Sequence, residues 1–287
     1  MKLTKLLVAV ATSFALVSAA SAKETITVVN PSNKASPATV FAKSYEEALR
    51  TSQDKFNVEF YQASSCADAD RKLASTPNAV MVYNADVAIA NKAKGASCNF
   101  SLTGENTVMI TNSYLKFCRL PGSTKAFGDE KTTVGIASVI LSKGLFDDLN
   151  GGKRNLVGVP YSGSKTVLAA LLAGDIDYGI IGAGVVNAPL KAGKVECVYD
   201  YDPRQANFIG NTLKGMKVPT LPITQAIFHN SSNADVAAAI AAAGKDAKFI
   251  AGIEHNGFSD TKNEGVNQAD VDKVAKHVEN VYNHYWK

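Results

Sequence analysis

Residues 158–177 read GVPYSGSKTVLAALLAGDID, and this stretch decides the class of fold. It opens with apolar residues and then makes a tight turn that contains Pro160 and Gly163. Beyond the turn the apolar residues recur with helical spacing, and the pattern stops at Gly174, a residue typical of the position after a helix. The stretch therefore predicts a strand, a turn and a helix over 165–173.

The start of this predicted helix has the chemistry of an anion site. The N–H groups in the first turn of a helix have no partner within the helix, and the helix dipole favours negative charge there. Ser162, Ser164 and Thr166 place hydroxyl groups beside those N–H groups. The turn is therefore a candidate site for a carboxylate or a phosphate. The alternative is that Ser164 only caps the helix.

A second loop of similar composition lies near the start of the chain. Residues 30–36 read NPSNKAS and follow a short β-branched segment at 25–30. A helix is predicted after them, with a serine as N-cap and Pro37 at its first position. The loop offers small polar groups and one positive charge, from Ser32, Asn33, Ser36 and Lys34. Two such loops facing each other favour a ligand site, although Lys34 is equally typical of a solvated surface.

Other candidate site residues follow other predicted strands. They are Asn84 after the third strand, Ala137 and Ser138 after a later one, and Gly182 and Ala183 near the end of another. Backbone can approach a ligand closely at glycine, because glycine has no side chain.

Strands and helices alternate in two blocks. The strands are predicted at 25–30, 56–61 and 79–83, then at 132–137, 155–159, 178–181 and 196–201. A long extended stretch at 106–120 separates the blocks, and helices at 235–243 and 269–286 form a helical tail. The order predicts two α/β units with parallel strands and a cleft between them. Ligands of such sheets bind beyond the carboxyl ends of the strands.

Residues 1–22 are typical of a signal peptide. Lys2 and Lys5 precede an apolar run at 6–17, and Ala-Ser-Ala at 20–22 matches a cleavage site. The alternative is a membrane anchor, which needs about 20 apolar residues. After cleavage 28 basic residues would face 26 acidic ones, and this near-neutral charge argues against nucleic-acid binding. We expect a mature protein exported to the periplasm, acting as a monomer.

The cysteines and histidines predict disulfides rather than a metal site. The chain has four cysteines, Cys66, Cys98, Cys118 and Cys197, and an even number in an oxidising compartment favours two bridges. Three connectivities are possible, and buried free thiols are the alternative. No C-x-x-C or H-E-x-x-H spacing occurs, so we expect neither a metal nor a cofactor.

Two motifs in the 158–166 segment imitate those of enzymes. The segment nearly spells a P-loop, but Ser164 interrupts the motif. Residues 162–165 match S-x-x-K, without the S-D-N and K-T-G partners of the penicillin-recognising enzymes. We therefore do not expect an enzyme. A secreted serine hydrolase that uses Ser162 and Lys165 is the alternative from a different class.

The segments 159–163 (VPYSG) and 171–177 (LLAGDID) together resemble the substrate-binding receptors of tripartite tricarboxylate transporters, the Bug-type proteins. Those receptors have V-P-Y-x-G followed, after a helix, by L-L-x-G-x-[IV]-D. The resemblance implies a type II periplasmic-binding-protein fold, with two α/β lobes joined by crossing segments and a ligand cleft between them. It implies lobe 1 at 23–115 plus 222–287 and lobe 2 at 116–221.

The resemblance also implies a ligand and a disulfide pairing. Receptors of this group hold a carboxylate through loop amides and small side chains, roles that carry over to the 135–138 turn and to Tyr161, Ser162, Gly163, Ser164 and Thr166. The first loop differs from the group, because it has Lys34 and lacks the usual Asp, and this disfavours an amino-acid ligand. In the fold that the resemblance implies, the extended stretch at 106–120 crosses into the second lobe and lies beside the last strand of that lobe. The resemblance therefore implies a Cys118–Cys197 bridge, which leaves Cys66 to pair with Cys98.

The prediction is therefore an exported solute-binding receptor for a small organic anion, most simply a carboxylate. It would deliver this ligand to the subunits of a membrane transporter and would make or break no bond. A receptor of the same fold for phosphate or a phosphonate is the alternative, because helix N-termini with serine and threonine also suit tetrahedral oxyanions.

Overall fold

The fold is described from a computed structural model. It describes residues 23–34, 36–85, 87–89, 100–125, 127–128, 131–137, 145–147, 149, 155–200 and 222–285. The predicted signal peptide, Cys98 and Ser138 lie outside the described residues.

The strands and helices alternate along the chain. The strands are β1 (Thr25–Asn30), β2 (Asn57–Gln62), β3 (Ala79–Asn84), β4 (Thr107–Ser113), β5 (Leu115–Arg119), β6 (Thr132–Ala137), β7 (Leu156–Tyr161), β8 (Tyr178–Gly182), β9 (Glu196–Asp200), β10 (Ile223–His229) and β11 (Phe258–Lys262). The helices are α1 (Pro37–Thr51), α2 (Cys66–Ser75), α3 (Ser164–Ala173), α4 (Ala183–Lys191), α5 (Ala234–Ala243), α6 (Ala247–His255) and α7 (Gln268–Tyr285).

Two mixed sheets divide these strands. The first sheet has the order β11-β4-β10-β3-β1-β2, and the second has the order β7-β6-β8-β5-β9. Strand β1 pairs in parallel with β2 and β3, and β6 pairs in parallel with β7 and β8. Each sheet also contains an antiparallel strand between parallel ones, β10 between β3 and β4 and β5 between β8 and β9. The first sheet has in addition β11, which pairs antiparallel with β4 at its edge. Apart from this edge strand, the two sheets are thus built on the same plan.

The predicted extended stretch at 106–120 is two strands in different sheets. Strand β4 ends at Ser113 and β5 begins at Leu115, so a single residue, Tyr114, separates the strand of the first sheet from that of the second. The chain returns between β9 and β10. The strands that adjoin these two links between the sheets, β4 and β10 of the first sheet and β5 and β9 of the second, therefore have ends at the boundary between the sheets.

The prediction of a purely helical tail is wrong. Residues 222–285 contain β10 and β11 as well as α5, α6 and α7. Strand β10 has the sequence ITQAIFH and lies inside the first sheet, where five of its seven residues are buried. A strand buried on both faces loses the alternation of polar and apolar residues that marks a half-exposed strand.

Aromatic side chains fill the core of each half. Phe41 and Tyr45 of α1 pack on Phe249, with ring centroids 5.5 and 5.6 Å apart, and the Tyr45 hydroxyl donates to the Ile240 carbonyl oxygen at 2.8 Å. In the second half Phe117 stacks on Tyr178 at 5.0 Å. Burying one such ring contributes about 1.5–3 kcal/mol, so these contacts hold α1 against α5 and α6 in the first half and β5 against β8 in the second.

The expected Cys118–Cys197 disulfide is confirmed. The two cysteines occupy paired positions on β5 and β9, so the bridge joins neighbouring antiparallel strands. Cys66 is disulfide-bonded as well. Its expected partner, Cys98, lies outside the described residues.

Among the described residues, no helix is both long enough and apolar enough to cross a bilayer.

Candidate functional site

A cleft of about 410 Å³ lies at the boundary of the two sheets. Loops that follow β1, β3, β7 and β8 meet there, which is the carboxyl end of each parallel strand. The described residues that line it are Pro31, Ser32, Asn33, Ser36, Pro37, Ala38, Tyr83, Asn84, Ser113, Leu115, Ser162, Gly163, Ser164, Lys165, Thr166, Gly182, Gly184, Ile223, Gln225 and Phe258. The cleft therefore brings together the two loops in which the sequence predicts anion-binding groups.

Most of the predicted site residues line this cleft. They are Ser32, Asn33, Ser36 and Asn84 from the first half, and Ser162, Gly163, Ser164, Thr166 and Gly182 from the second. Four other described candidates are not part of its lining: Lys34, Ala137, Tyr161 and Ala183. Lys34 is exposed to solvent, whereas Ala137 and Ala183 are buried. Ser138 lies outside the described residues.

A buried amide holds the first loop in place. Asn30 has no exposed surface, and its Nδ2 donates to Thr39 Oγ1 at 2.8 Å and to Gln62 Oε1 at 3.0 Å. Gln62 Nε2 donates to the Ser32 carbonyl oxygen at 2.8 Å, and Thr39 Oγ1 donates to that of Asn33 at 2.7 Å. The carbonyl groups of the loop are therefore directed into the protein, toward α1 and β2.

The end of α1 at the cleft offers one backbone donor. Ser36 is the N-cap, as predicted, and its hydroxyl accepts from the Thr39 N–H at 3.2 Å. Pro37 has no N–H group. The N–H of Ala38 lies in the first turn and has no acceptor within the helix, and Ala38 lines the cleft. This N–H and the positive end of the α1 dipole are available to an anion.

The end of α3 offers more donors. The N-cap is Gly163 in an extended conformation, so the interpretation of Ser164 as a cap is wrong. Ser164 Oγ instead accepts from the Gly182 N–H at 3.1 Å, which leaves its own proton able to donate. The N–H groups of Ser164 and Lys165 belong to the first turn and have no acceptor within the helix. Thr166 Oγ1 donates to the Gly163 carbonyl oxygen at 2.7 Å and so braces the turn.

The charge in the cleft is positive. Lys165 lines the cleft, and its described lining contains no aspartate or glutamate. Lys165 therefore adds a full charge to the positive ends of α1 and α3. Sequence reasoning considered Lys165 only as part of two enzyme-like motifs, the near P-loop and S-x-x-K, and named Lys34 as the positive charge of the candidate site.

Apolar side chains form the remaining wall of the cleft. Leu115 and Ile223 are the first residues of β5 and β10, the two strands that begin after the chain passes from one sheet to the other, and Phe258 comes from β11. Sequence reasoning did not identify them, because their place in the cleft depends on pairing between distant strands. A ligand with carbon atoms as well as charge fits this combination of walls.

Gln225 is a further residue that sequence reasoning did not identify. It is 3% exposed and lines the cleft from β10. Its Nε2 donates to Asn84 Oδ1, across the paired positions of β10 and β3. The only sequence signal was a polar pair, Thr224 and Gln225, among the apolar residues of ITQAIFH.

A metal does not suit the described residues. They contain no group of three or more histidine, cysteine, aspartate or glutamate side chains placed to hold an ion. The cleft offers mainly N–H and O–H donors, which suit an anionic ligand.

Solved structures of periplasmic binding proteins resemble the chain over most of its length. The periplasmic binding protein BugD has a TM-score of 0.67 at 14% identity, with 91% of this chain and 97% of BugD covered. MatC from Rhodopseudomonas palustris with bound malate has a TM-score of 0.66 at 16% identity, with 91% and 99% covered. Another R. palustris protein, solved with adipate, has a TM-score of 0.67 at 14% identity, with 91% and 97% covered. No protein-family model and no curated protein matches the chain.

These likenesses establish the class of fold. The chain has the type II periplasmic-binding-protein fold, in which two α/β lobes are joined by crossing segments with a cleft between them. The fold expected from the resemblance of residues 159–177 is confirmed. The similar structures include a Bug protein, the group which that segment resembles.

Proposed function

We propose that the chain is an exported solute-binding receptor of the Bug type, which captures a small organic carboxylate and delivers it to a membrane transporter. The mature protein acts as a monomer in the periplasm, after removal of residues 1–22. Lobe 1 is 23–115 plus 222–287, and lobe 2 is 116–221. Two similar structures were solved with malate and with adipate, which supports a carboxylate as the ligand class.

One observation carries the proposal. The first turns of α1 and α3 line the same cleft from opposite lobes, together with Lys165 and without an acidic side chain among the described lining residues. The first turn of α1 has one N–H group, that of Ala38, and the first turn of α3 has two that the helix leaves unpaired. A carboxylate between them accepts hydrogen bonds from both lobes at once, so it favours the arrangement in which the lobes are close.

Closure of the lobes follows from the connections. The lobes are linked at Tyr114 and again between β9 and β10, and rotation about such links is a hinge motion. A micromolar Kd corresponds to about −8 kcal/mol. Charge-assisted hydrogen bonds contribute roughly 1.5–3 kcal/mol each, so a few of them from the two helix ends and Lys165 account for such affinity.

A ligand panel tests the ligand class. Thermal unfolding and isothermal titration calorimetry of the mature protein are carried out with mono-, di- and tricarboxylates, aromatic acids, phosphate, phosphonates and a neutral sugar. We expect at least one carboxylate to stabilise the protein and the sugar to have no effect. Stabilisation by the sugar alone would refute an anion site.

Two lysine variants test the placement of the charge. Lys165→Gln removes the charge that lines the cleft and is expected to weaken carboxylate binding by about tenfold. Lys34→Gln is the matched control, because Lys34 is exposed and is not part of the lining. It is expected to change Kd by less than about twofold. The reverse order of effects would show that Lys34 holds the ligand.

Phosphate or a phosphonate is the second candidate ligand. The Ser164 hydroxyl and the two helix ends also suit a tetrahedral oxyanion. The same panel separates the two, because a phosphate receptor would respond to phosphate and not to carboxylates. A serine hydrolase would be labelled at Ser162 by an acylating probe and would hydrolyse an ester, and we expect neither result.

A further inference from the structure

Gln225 lines the cleft, and one of its two polar side-chain atoms has no hydrogen-bond partner among the described residues. Its side chain is 3% exposed, and its Oε1 is buried without a hydrogen-bond partner among the described residues. Buried polar side-chain atoms in native proteins are almost always paired. Since Gln225 lines the cleft, the natural partner of this oxygen is a group of the bound ligand.

The neighbouring contact determines which atom of the amide is free. Gln225 Nε2 donates to Asn84 Oδ1, and these residues occupy paired positions on β10 and β3. The nitrogen is therefore turned toward β3. The carbonyl oxygen that remains is an acceptor only, so it requires an O–H or N–H donor.

A carboxylate group cannot satisfy this oxygen. An ionised carboxylate has acceptors only, and two buried acceptors in contact repel each other. The donors at the cleft end of α3 and Lys165 suit the carboxylate instead. The ligand must therefore present two different ends, an anionic one to α3 and a donor to Gln225.

The charge of the cleft distinguishes between kinds of donor. An ammonium group buried beside Gln225 would need a negative partner, and the described lining contains no aspartate or glutamate. A hydroxyl group is neutral and needs only an acceptor. Leu115 and Ile223 border the same cleft and provide apolar contact for the carbon atoms between the two ends.

We propose that this receptor selects hydroxycarboxylates over the same acids without the hydroxyl, and that Gln225, oriented by Asn84, is the residue that determines this specificity. The inference rests on the proposed function and narrows the substrate class of the same cleft.

Matched pairs of acids test the inference on the wild-type protein. Kd values are measured by calorimetry for malate and succinate, lactate and propionate, and 3-hydroxybutyrate and butyrate. We expect the hydroxy acid to bind roughly tenfold more tightly in the pair that fits the cleft, because the deoxy acid leaves the buried oxygen unpaired. Equal or tighter binding of the deoxy acids in every pair would overturn the inference.

Two variants on one strand test the role of Gln225. Gln225→Met keeps the length of the side chain and removes the acceptor, so the preference for the hydroxy acid should fall to about twofold or less. Thr224→Val is the matched control. Thr224 is equally buried, and its Oγ1 donates to Asn112 Oδ1 at 3.0 Å, outside the cleft lining. The control should keep the wild-type preference, and loss of preference in the control alone would overturn the assignment to Gln225.

The outcomes separate this inference from the proposed function. If carboxylates bind without regard to the hydroxyl, the receptor proposal stands and the inference fails. If no carboxylate of the ligand panel binds, the receptor proposal fails and the inference fails with it. The comparison of acid pairs is made on the wild-type protein and does not depend on any variant. It can therefore still refute the inference if the Gln225→Met protein does not fold.

Discussion

Asp177 shows how a single side chain organises the second lobe. Burial favours a raised pKa, but hydrogen bonds from Lys125 and Thr133 hold the pKa of this carboxyl below its ordinary value. Its Oδ2 accepts from Lys125 Nζ at 2.7 Å, from the Thr133 N–H at 2.7 Å and from Thr133 Oγ1 at 2.8 Å. Asp177 precedes β8, at the end of the strand opposite the cleft. The last residue of the 171–177 segment therefore has a structural role.

Asp177→Asn is expected to lower the free energy of unfolding at neutral pH by about 1–3 kcal/mol, because it weakens three hydrogen bonds to a charged group. The folded pKa is below the unfolded value of about 3.9, so the stabilisation is complete above that pH. It is lost as the pH falls through the folded pKa. Urea unfolding at several pH values checks this, and a difference between variant and wild type that does not shrink as the pH falls below about 3.9 would contradict it.

At the scale of elements, strand β5 locks the second sheet. It enters from the first lobe, runs antiparallel between β8 and β9, and carries Cys118 opposite Cys197. Both cysteines are buried in the core that α3 and α4 cover, and neither lines the cleft. The bridge therefore secures the crossing strand without touching the candidate site.

The double variant Cys118→Ala/Cys197→Ala is expected to lose about 2–4 kcal/mol of stability, because the bridge closes a loop of 79 residues in the unfolded chain. Denaturant unfolding without a reducing agent measures the loss. Ligand affinity, measured by calorimetry on the folded variant, should stay within about twofold of wild type. An unchanged unfolding midpoint would show that β5 is held by strand pairing alone.

At the scale of the whole molecule, the two lobes touch where glycine leaves room. A Cβ atom on Gly184, at the start of α4, would overlap the carbonyl oxygen of Asn256 in the other lobe. Gly257 approaches the same helix, where an added Cβ would lie 2.9 Å from the Cβ of Ala183. Gly184 also lines the cleft. Because Gly184 and Gly257 have no side chains, the two lobes can approach each other closely beside the ligand site.

Gly184→Ala is expected to hold the lobes farther apart and to weaken ligand binding by roughly tenfold, since overpacking costs about 1–3 kcal/mol. Small-angle scattering with saturating ligand should show a larger radius of gyration than the wild type. Gly252→Ala is the matched control, because it lies in α6 with no atom within 4 Å of the added Cβ. If Gly184→Ala with ligand has the radius of gyration and the ligand affinity of the wild type, the contact between Gly184 and Asn256 does not control how closely the lobes approach.

Elements that depend on residues near each other in the sequence were predicted correctly, whereas an element that depends on pairing with distant residues was missed. Strands at 25–30 and 132–137 have the predicted bounds, because a β-branched segment between turn residues is a local signal. Strand β10 was missed, because it pairs with β3 and β4, whose residues lie more than 100 positions away, and it is buried. The same burial explains why Gln225 was not identified as a site residue.

The sequence by itself determined the local units of this protein: alternating strands and helices, polar turns at helix starts, and the segment at 159–177 that indicates the fold. These features depend on residues within a few positions of one another. Only the tertiary structure decided that Lys165 rather than Lys34 lines the cleft and that Ser164 accepts from the Gly182 N–H. It also decided that one oxygen of Gln225 is buried without a partner among the described residues. Those facts depend on which distant strands become neighbours, and long-range pairing leaves no periodic pattern in the chain.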